Sequence, residues 1–402
     1  MSNRLIANSI LQFERRYFKT CKSQRECDSY YSHVAKSDLL AIIFISLTSI
    51  AALLELRRLK GVVSRCAITS SDVMVSFLIP ARNEGASISN LLASISNLLE
   101  ATSLRYEVIV VDDGSTDDTV EKASLFNFVK LVEVTEPPLV GTNGKSNALS
   151  IAAGRALGEV LVFLDADVEV GSGIIGCIGA IAEGGEVKLL SLQPYHRARG
   201  VGEGFALTFN VVSLFSALVS NLASRRPKLA FGPVLITRRE DYRNVGGHEK
   251  ILYEVVDDVA LSRSYFEHGL KVVTLLDRSV ATFRMYPLGF VQMIEGFTKN
   301  FVVGASSLSP LAAVIGFGYV FGFLGLEISV ARDFVQHRII FGLILYAVCS
   351  GLLAFGSRLV GRFSPLVQFL HPLAFCLFVL VFVRALGRRV LSLPNTWKGR
   401  VV

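Results

Sequence analysis

The composition of this 402-residue chain excludes an ordinary soluble enzyme. Hydrophobic residues make up 51% of it and mean hydropathy is +0.49, yet 19% of the residues are charged, so a soluble domain and membrane segments share the chain. The net charge of +7 does not indicate a nucleic-acid partner, because the basic residues flank apolar runs and no recognition motif is present. The six cysteines show neither a metal-binding nor a disulfide pattern.

Uncharged apolar runs divide the chain. A spanning helix needs about 20 such residues; the uncharged runs cover residues 39–54, 301–326, 339–357 and 363–383. We therefore predict an N-terminal segment at 1–38, a transmembrane anchor at 39–56, a catalytic domain at 57–300, a membrane domain of about three helices at 301–384, and a tail at 385–402. The anchor is expected to be uncleaved, because Arg57 and Arg58 follow it without a small-residue cleavage pattern.

The central segment alternates between strand and helix patterns. Strands are predicted at 73–79, 107–111, 129–134 and 160–164, and helices at 87–99, 117–125 and 145–157. Strands separated by helices imply βαβ units, so the fold class is α/β with a mostly parallel sheet. Ligands of such sheets bind outside the carboxyl ends of the strands.

The first candidate site follows the first strand. Pro80, Ala81, Arg82 and Glu84 come directly after it and lead into a helix. The Glu84 carboxylate could accept hydrogen bonds from a base or ribose, and Arg82 could face a phosphate. The alternative is a helix cap with a surface charge pair.

Two acidic clusters follow the next buried strands. Asp112 and Asp113 end the strand at 107–111, where one of them could simply fix the turn before Gly114. Asp165 and Asp167 follow the strand at 160–164, and their spacing lets two carboxylates approach one divalent cation, Mg²⁺ or Mn²⁺. This layout predicts a nucleotide-and-metal site.

Lys145 and a second acidic pair complete the candidates. Gly144 and Lys145 do not form a P-loop, because Leu139 stands where that motif has a glycine. Lys145 at a helix start can still hold a phosphate as a point charge. Asp257 and Asp258 lie at a predicted helix start, where an acidic pair is either functional or only a cap.

These motifs, in this order, closely resemble the inverting family 2 glycosyltransferases of GT-A fold. The resemblance covers roughly residues 71–300. The flanking spans, with Arg284 to Pro287 and Glu295 to Asn300, look most like membrane glycosyltransferases that attach glucose to a carotenoid acid, 4,4′-diaponeurosporenoate. The loop before Lys145 lacks the tryptophan usual in such relatives, and the Gln-x-x-Arg-Trp motif of processive synthases is absent. Transfer of a single sugar is therefore favoured over polymer synthesis.

The resemblance implies a role for each candidate. It assigns Glu84 and Asp113 to the uridine of a nucleotide-diphosphate sugar, Lys145 to the nucleotide, Asp165 to the ribose or sugar, Asp167 to the metal and Asp258 to the catalytic base. A carboxylic acid acceptor would arrive ionised, which would make a strong base less important. The alternatives are a membrane nucleotidyl or phosphoryl transferase, a polysaccharide synthase, and a catalytically silent scaffold.

The segment before the first C-terminal span is predicted to contact a lipid acceptor. Phe290, Met293, Ile294 and Phe297 recur about one helical turn apart, so they would form one face at the membrane interface and lead a lipid tail toward Asp258. The alternative is that this stripe only packs on the catalytic domain. We expect a multi-pass protein of the cell membrane with a cytoplasmic catalytic domain, and four spans are favoured over three.

Overall fold

The structure, a computed structural model, describes residues 24–63, 73–134, 141–223, 230–254, 256–287, 289–307, 310–391, 396–397 and 400–401. Most of the predicted N-terminal segment and the loop at 137–140 lie outside these ranges.

A seven-stranded sheet forms the centre of the catalytic part, with strand order β3-β2-β1-β4-β8-β6-β9. Its strands are β1 (Met74–Ala81), β2 (Arg105–Asp112), β3 (Val129–Glu133), β4 (Val160–Leu164), β6 (Val187–Leu192), β8 (Val234–Arg238) and β9 (Lys271–Leu275). Strand β8 runs antiparallel to both of its neighbours, and the other pairings are parallel. The apolar run of β4 is buried on both faces, as expected of a central strand covered by helices.

A smaller sheet extends the first, with strand order β11-β7-β10-β5. Its strands are β5 (Val168–Val170), β7 (Tyr195–Arg197), β10 (Ala281–Phe283) and β11 (Gly361–Arg362). Because β11 follows a long apolar helix, this sheet joins the catalytic part to the C-terminal helices. A third, two-stranded ribbon consists of β12 (Thr396–Trp397) and β13 (Arg400–Val401).

Helices cover the sheets and continue into the apolar part. Those of the catalytic part are α2 (Ile88–Glu100), α3 (Thr119–Ser124), α4 (Gly144–Arg155), α5 (Ile174–Ala182), α6 (Val201–Gly204), α7 (Ala206–Ala223), α8 (Arg239–Asn244) and α9 (Asp257–Glu267), with a 3₁₀ turn at Glu249–Ile251. The others are α1 (Gln24–Val63), α10 (Phe290–Ser307), α11 (Pro310–Val335), α12 (Ile339–Val360), α13 (Pro365–Phe369) and α14 (His371–Val390).

The predicted strands and helices of the α/β core are confirmed, each to within two residues at either end. The antiparallel strand β8 was not predicted. The apolar run at 301–326 is split between α10 and α11, and the run at 363–383 between α13 and α14. Proline stands at the start of the second helix in both cases: Pro310 begins α11 and Pro372 lies in the first turn of α14, where its missing N–H costs no hydrogen bond.

Four described helices contain segments long and apolar enough to cross a membrane. These segments are Val34–Arg58, Val201–Val219, Pro310–Val335 and Ile339–Val360. The second lies largely within α7 and is mostly buried inside the protein, so it forms the centre around which the others pack. It was not predicted, although the chain is uncharged from Gly204 to Ser224; the polar residues Thr208 and Asn210 interrupt that run.

Candidate active site

The site lies at the carboxyl ends of β1, β2 and β4. These strands are parallel neighbours, so the residues that follow them meet at one edge of the sheet. Arg82, just after β1, donates a hydrogen bond of 2.7 Å to the backbone oxygen of Asp113, just after β2. Its guanidinium also lies 3.7 Å from the Asp113 carboxylate. Residues of two separate sequence motifs are thus held together.

Asn83 and Glu84 join the turn after β1 to the turn after β2. The Asn83 backbone N–H donates to the Ser115 hydroxyl at 2.9 Å, and the Glu84 N–H donates to the Thr119 hydroxyl at 2.8 Å. Asn83 adopts a left-handed backbone conformation, with φ of 51°, which asparagine tolerates better than most residues. The Glu84 side chain accepts a bond from Ser87 and lines the central cavity.

Asp112 and Asp113 have different surroundings. Asp112 is 3% exposed, and its carboxylate accepts hydrogen bonds from the backbone N–H groups of Gly114 and Ser115 and from the Ser115 hydroxyl. It fixes the turn and does not line the cavity, whereas Asp113 does. The structure therefore brings Asp113 to the site and leaves Asp112 behind it.

Lys145 occupies the centre of an acidic cluster. It lies in the first turn of α4, where the Asn143 side chain caps the helix by accepting the Lys145 backbone N–H at 3.0 Å. Its ammonium lies 2.7 Å from Asp165 and 3.5 Å from Asp257. Burial would lower the pKa of Lys145, but these two carboxylates raise it above its ordinary value. The ammonium stays charged.

Asp258 carries the most informative pKa in the site. It lies in the first turn of α9, and its two oxygens accept the backbone N–H of Gly232 at 2.6 Å and of Val259 at 2.8 Å. Burial, reinforced by the charge of Asp257, raises its pKa to about 7. A carboxylate with such a pKa is matched to general base catalysis near neutral pH.

Asp167 offers a carboxylate to a cation. It lies just after β4 in the cavity wall, close enough to Tyr286 that its charge, added to burial, raises the pKa of that phenol. No group of three metal-ligating side chains occurs in the described part of the chain. Mg²⁺ bound to a nucleotide needs only one or two protein carboxylates beside phosphate and water oxygens, so Asp167 beside Asp165 fits such an ion.

The site residues other than Asp112 line one continuous cavity of about 880 Å³. At one end it is bounded by Pro80, Ala81, Arg82, Glu84 and Asp113, and at its centre by Lys145, Asp165, Asp167, Asp257 and Asp258. Its other end is apolar and is formed by Phe297, Phe301, Phe317, Phe378 and Phe382 from α10, α11 and α14. A single chamber thus connects an acidic, polar end with an aromatic end between apolar helices.

The predicted stripe on α10 faces inward. Met293 is fully buried, and the Phe297 ring stacks on Phe209 with centroids 4.0 Å apart. Only Phe290, 42% exposed, is open to the surroundings. The stripe as a whole is therefore not an exposed interfacial face; Phe297 contributes to the wall of the cavity instead.

Arg284 also lines the cavity, and sequence reasoning missed two of its basic neighbours. Arg284 forms a bidentate ion pair with the buried carboxylate of Glu203 on α6. Arg197, the last residue of β7, and Arg199, between β7 and α6, line the same chamber. Arg197 and Arg199 are two residues apart, the spacing that places side chains on the same face of a strand, and this spacing is the signal that could have revealed them.

Comparison with known proteins agrees with this geometry. The family model described as glycosyl transferase family 2 matches residues 76–185. The chain is 32% identical over 334 residues to 4,4′-diaponeurosporenoate glycosyltransferase of Staphylococcus aureus strains MRSA252 and USA300, covering 81% of this chain and 87% of each relative. Among solved structures, the mannosyltransferase PcManGT from Pyrobaculum calidifontis, in complex with GDP-Man and Mn²⁺, aligns with a TM-score of 0.53 at 17% identity, covering 89% of this chain and 99% of that one.

The fold and the site together define a GT-A glycosyltransferase. The chain belongs to glycosyltransferase family 2, as the sequence motifs predicted. It is an enzyme of glycosyl transfer, and four of its described helices are long and apolar enough to cross a membrane.

Proposed function

We propose that the protein is a membrane-bound inverting enzyme that moves a single sugar from a nucleotide-diphosphate sugar, UDP-glucose or a close relative, to a lipophilic acceptor. The acceptor would be a carotenoid acid or a polyisoprenoid lipid. The observation that carries the proposal is the continuous cavity, which joins carboxylates suited to a sugar nucleotide to phenylalanines suited to a lipid chain.

The donor would bind at the polar end. Glu84 and Asp113 would hold the nucleoside, and Asp165 would bind the ribose or sugar. Arg82 would face the phosphates, with Pro80 and Ala81 forming the adjacent wall. Asp112 would support the turn that carries Asp113. Asp167 would hold Mg²⁺ or Mn²⁺. That cation, when bound, supplies positive charge to the diphosphate as it leaves.

Asp258 would act at the reacting centre. The acceptor oxygen attacks the anomeric carbon, the carbon–oxygen bond to the diphosphate breaks, and its electron pair leaves with the nucleotide. The single displacement inverts the configuration. If the acceptor is a hydroxyl, its proton passes to an Asp258 oxygen; if it is a carboxylate, no proton moves and Asp258 has less to do.

The acceptor would enter between the apolar helices. The Staphylococcus aureus relatives are named for 4,4′-diaponeurosporenoate, a carotenoid acid, which supports an acceptor with a long apolar chain and a carboxylate. Phe297 would contact that chain where α10 borders the site. The apolar end of the cavity is the structural counterpart of such a substrate.

We further propose that residues 57–300 form a cytoplasmic catalytic domain, apart from the apolar helix α7, which packs among the candidate membrane helices, with an anchor at 39–56 and a membrane domain at 301–384. Cysteine labelling tests this placement in a background without other cysteines. Glu121→Cys, exposed on α3, should react with an impermeant thiol reagent only after lysis, whereas Val335→Cys, 79% exposed at the far end of α11, should react in intact cells. The reverse labelling pattern would place the catalytic domain outside the cell and contradict the proposed topology.

The function itself is tested by product analysis. Membranes containing the protein are incubated with UDP-glucose and either 4,4′-diaponeurosporenoate or a polyisoprenoid phosphate, and the lipids are examined by mass spectrometry. A lipid carrying a single hexose supports the proposal. A nucleotidyl or phosphoryl adduct, or a polymer, would replace it with a different transferase.

A further inference from the structure

The basic side chains that line the cavity differ in whether a carboxylate lies within ion-pair distance. Four have carboxylate partners: Arg82 with Asp113, Lys145 with Asp165, Arg197 with Glu169, and Arg284 with Glu203. Arg199 lines the same cavity, but within the described residues no carboxylate lies within ion-pair distance of its guanidinium. It is the cation in this wall whose charge is left for a ligand.

The backbone that carries Arg199 is nevertheless fixed. The Arg199 N–H donates to Glu203 Oε2 at 3.1 Å, and Glu203 is only 4% exposed. Burial would raise the pKa of Glu203, but the bonds from Arg284 and from the Arg199 backbone lower it, so this carboxylate stays ionised. One buried carboxylate thus holds both the Arg284 guanidinium and the main chain at Arg199, while the Arg199 side chain itself remains exposed to the cavity.

Arg199 lies where the catalytic part meets the apolar helices. The preceding residue, Ala198, donates its backbone N–H to the Arg362 oxygen of β11 at 3.2 Å. Gly202, three residues after Arg199, lies against the start of α10: a Cβ placed on it would be 3.5 Å from the Phe290 backbone nitrogen. The head group of a lipid whose chain occupies the aromatic end of the cavity would be at this level.

We propose that Arg199 binds an anionic head group of the acceptor, specifically a carboxylate, and selects acids over alcohols of the same chain. The inference rests on the proposed function and deepens it. Asp165, Asp167, Asp257 and Asp258 make the centre of the cavity acidic, so an anionic acceptor entering it needs a compensating cation. A guanidinium matches a carboxylate with two parallel hydrogen bonds, which gives orientation as well as attraction.

The same guanidinium chemistry would also suit the diphosphate of the donor. The position of Arg199 beside α10 and β11 favours the acceptor. Separate kinetic constants for donor and acceptor distinguish the two ligands.

The test uses the full-length protein in lipid nanodiscs, with UDP-glucose as donor and two acceptors, 4,4′-diaponeurosporenoate and the alcohol with the same polyene chain. Arg199→Ala is compared with Arg199→Lys, which keeps the positive charge but loses the planar guanidinium that can form two parallel hydrogen bonds. The control is Arg362→Ala, which removes an exposed arginine outside the cavity. Initial rates give KM for each acceptor and for UDP-glucose.

We expect Arg199→Ala to raise KM for the acid about tenfold or more, with the alcohol and UDP-glucose changing less than about twofold. Arg199→Lys should recover part of the loss, and Arg362→Ala should behave as wild type. A rise in KM for UDP-glucose would assign Arg199 to the diphosphate instead, and equal losses for acid and alcohol would make its role structural; either overturns the inference. Wild-type protein that glycosylates neither acceptor would overturn the proposed function itself.

Discussion

The ammonium of Lys145 lies 2.7 Å from the carboxylate of Asp165 and thereby joins the start of α4 to the end of β4. The sequence pattern predicted that this lysine would contact a phosphate, and the ion pair adds a second role. With Asp257 3.5 Å away, Lys145 offsets the mutual repulsion of carboxylates that have to share one cavity. It is a positioning residue for the acidic centre.

Replacing Lys145 should therefore change the titration of Asp258. The charge of Lys145 lowers the pKa of Asp258, so Lys145→Ala should raise that pKa and move the acidic limb of the kcat/KM profile, measured with an alcohol acceptor, toward higher pH. Lys145→Arg should retain most of the wild-type profile, and Lys122→Ala, in an exposed pair with Asp118, should not shift it. An unchanged acidic limb in Lys145→Ala would show that the charge of Lys145 does not affect the pKa of Asp258.

The pH profile also distinguishes a hydroxyl acceptor from a carboxylate acceptor. Asp258 acts as a base only when ionised, so with a pKa of about 7 the rate with an alcohol should fall as the pH drops below 7, by about tenfold per unit. A carboxylic acid, ionised throughout this range, should show no such limb. Asp258→Asn should reduce alcohol transfer about 100-fold to 10,000-fold and acid transfer much less.

Asp167→Asn tests the proposed metal site. The change removes a negative ligand charge while keeping the shape of the side chain, so most of the activity should be lost without loss of the folded state. The measurement is a Mn²⁺ titration of transfer, together with thermal unfolding in detergent. Activity near that of wild type with the same metal dependence would remove Asp167 from the metal site.

The apolar end of the cavity can be filled without touching the polar end. Ala313 lines the cavity on α11, whereas the next residue, Val314, is 64% exposed on the outside of the helix. Ala313→Phe should therefore weaken use of a long-chain acceptor while leaving UDP-glucose binding intact, and Val314→Phe should affect neither. If the two variants behave alike, the lipid chain does not occupy this end.

Much of the α/β core and its polar residues could be predicted from sequence because local signals specify them. Buried apolar strands followed by carboxylates, as in β4 with Asp165 and Asp167, need no long-range information. The direction of each carboxylate could not be predicted. Whether Asp112 or Asp113 faces the cavity depends on hydrogen bonds within the turn.

The sequence left the direction of the α10 stripe open between the membrane interface and packing on the catalytic domain. Helical spacing identified one face containing Met293 and Phe297, but not what covers it. That depends on Phe209 of α7, which is distant in sequence, and α7 itself was missed because polar residues interrupt its apolar run. Apolar periodicity alone does not distinguish a membrane-facing stripe from one packed on another helix.

The most direct test of the proposed function is transfer by the purified wild-type protein from UDP-glucose to a lipid carboxylic acid, with the product identified by mass spectrometry and its anomeric configuration by NMR. We predict a lipid ester of a single hexose, inverted relative to the donor, formed only with a divalent cation and lost in Asp167→Asn. A product with retained configuration, a polymer, or transfer confined to water-soluble acceptors would contradict the proposed function.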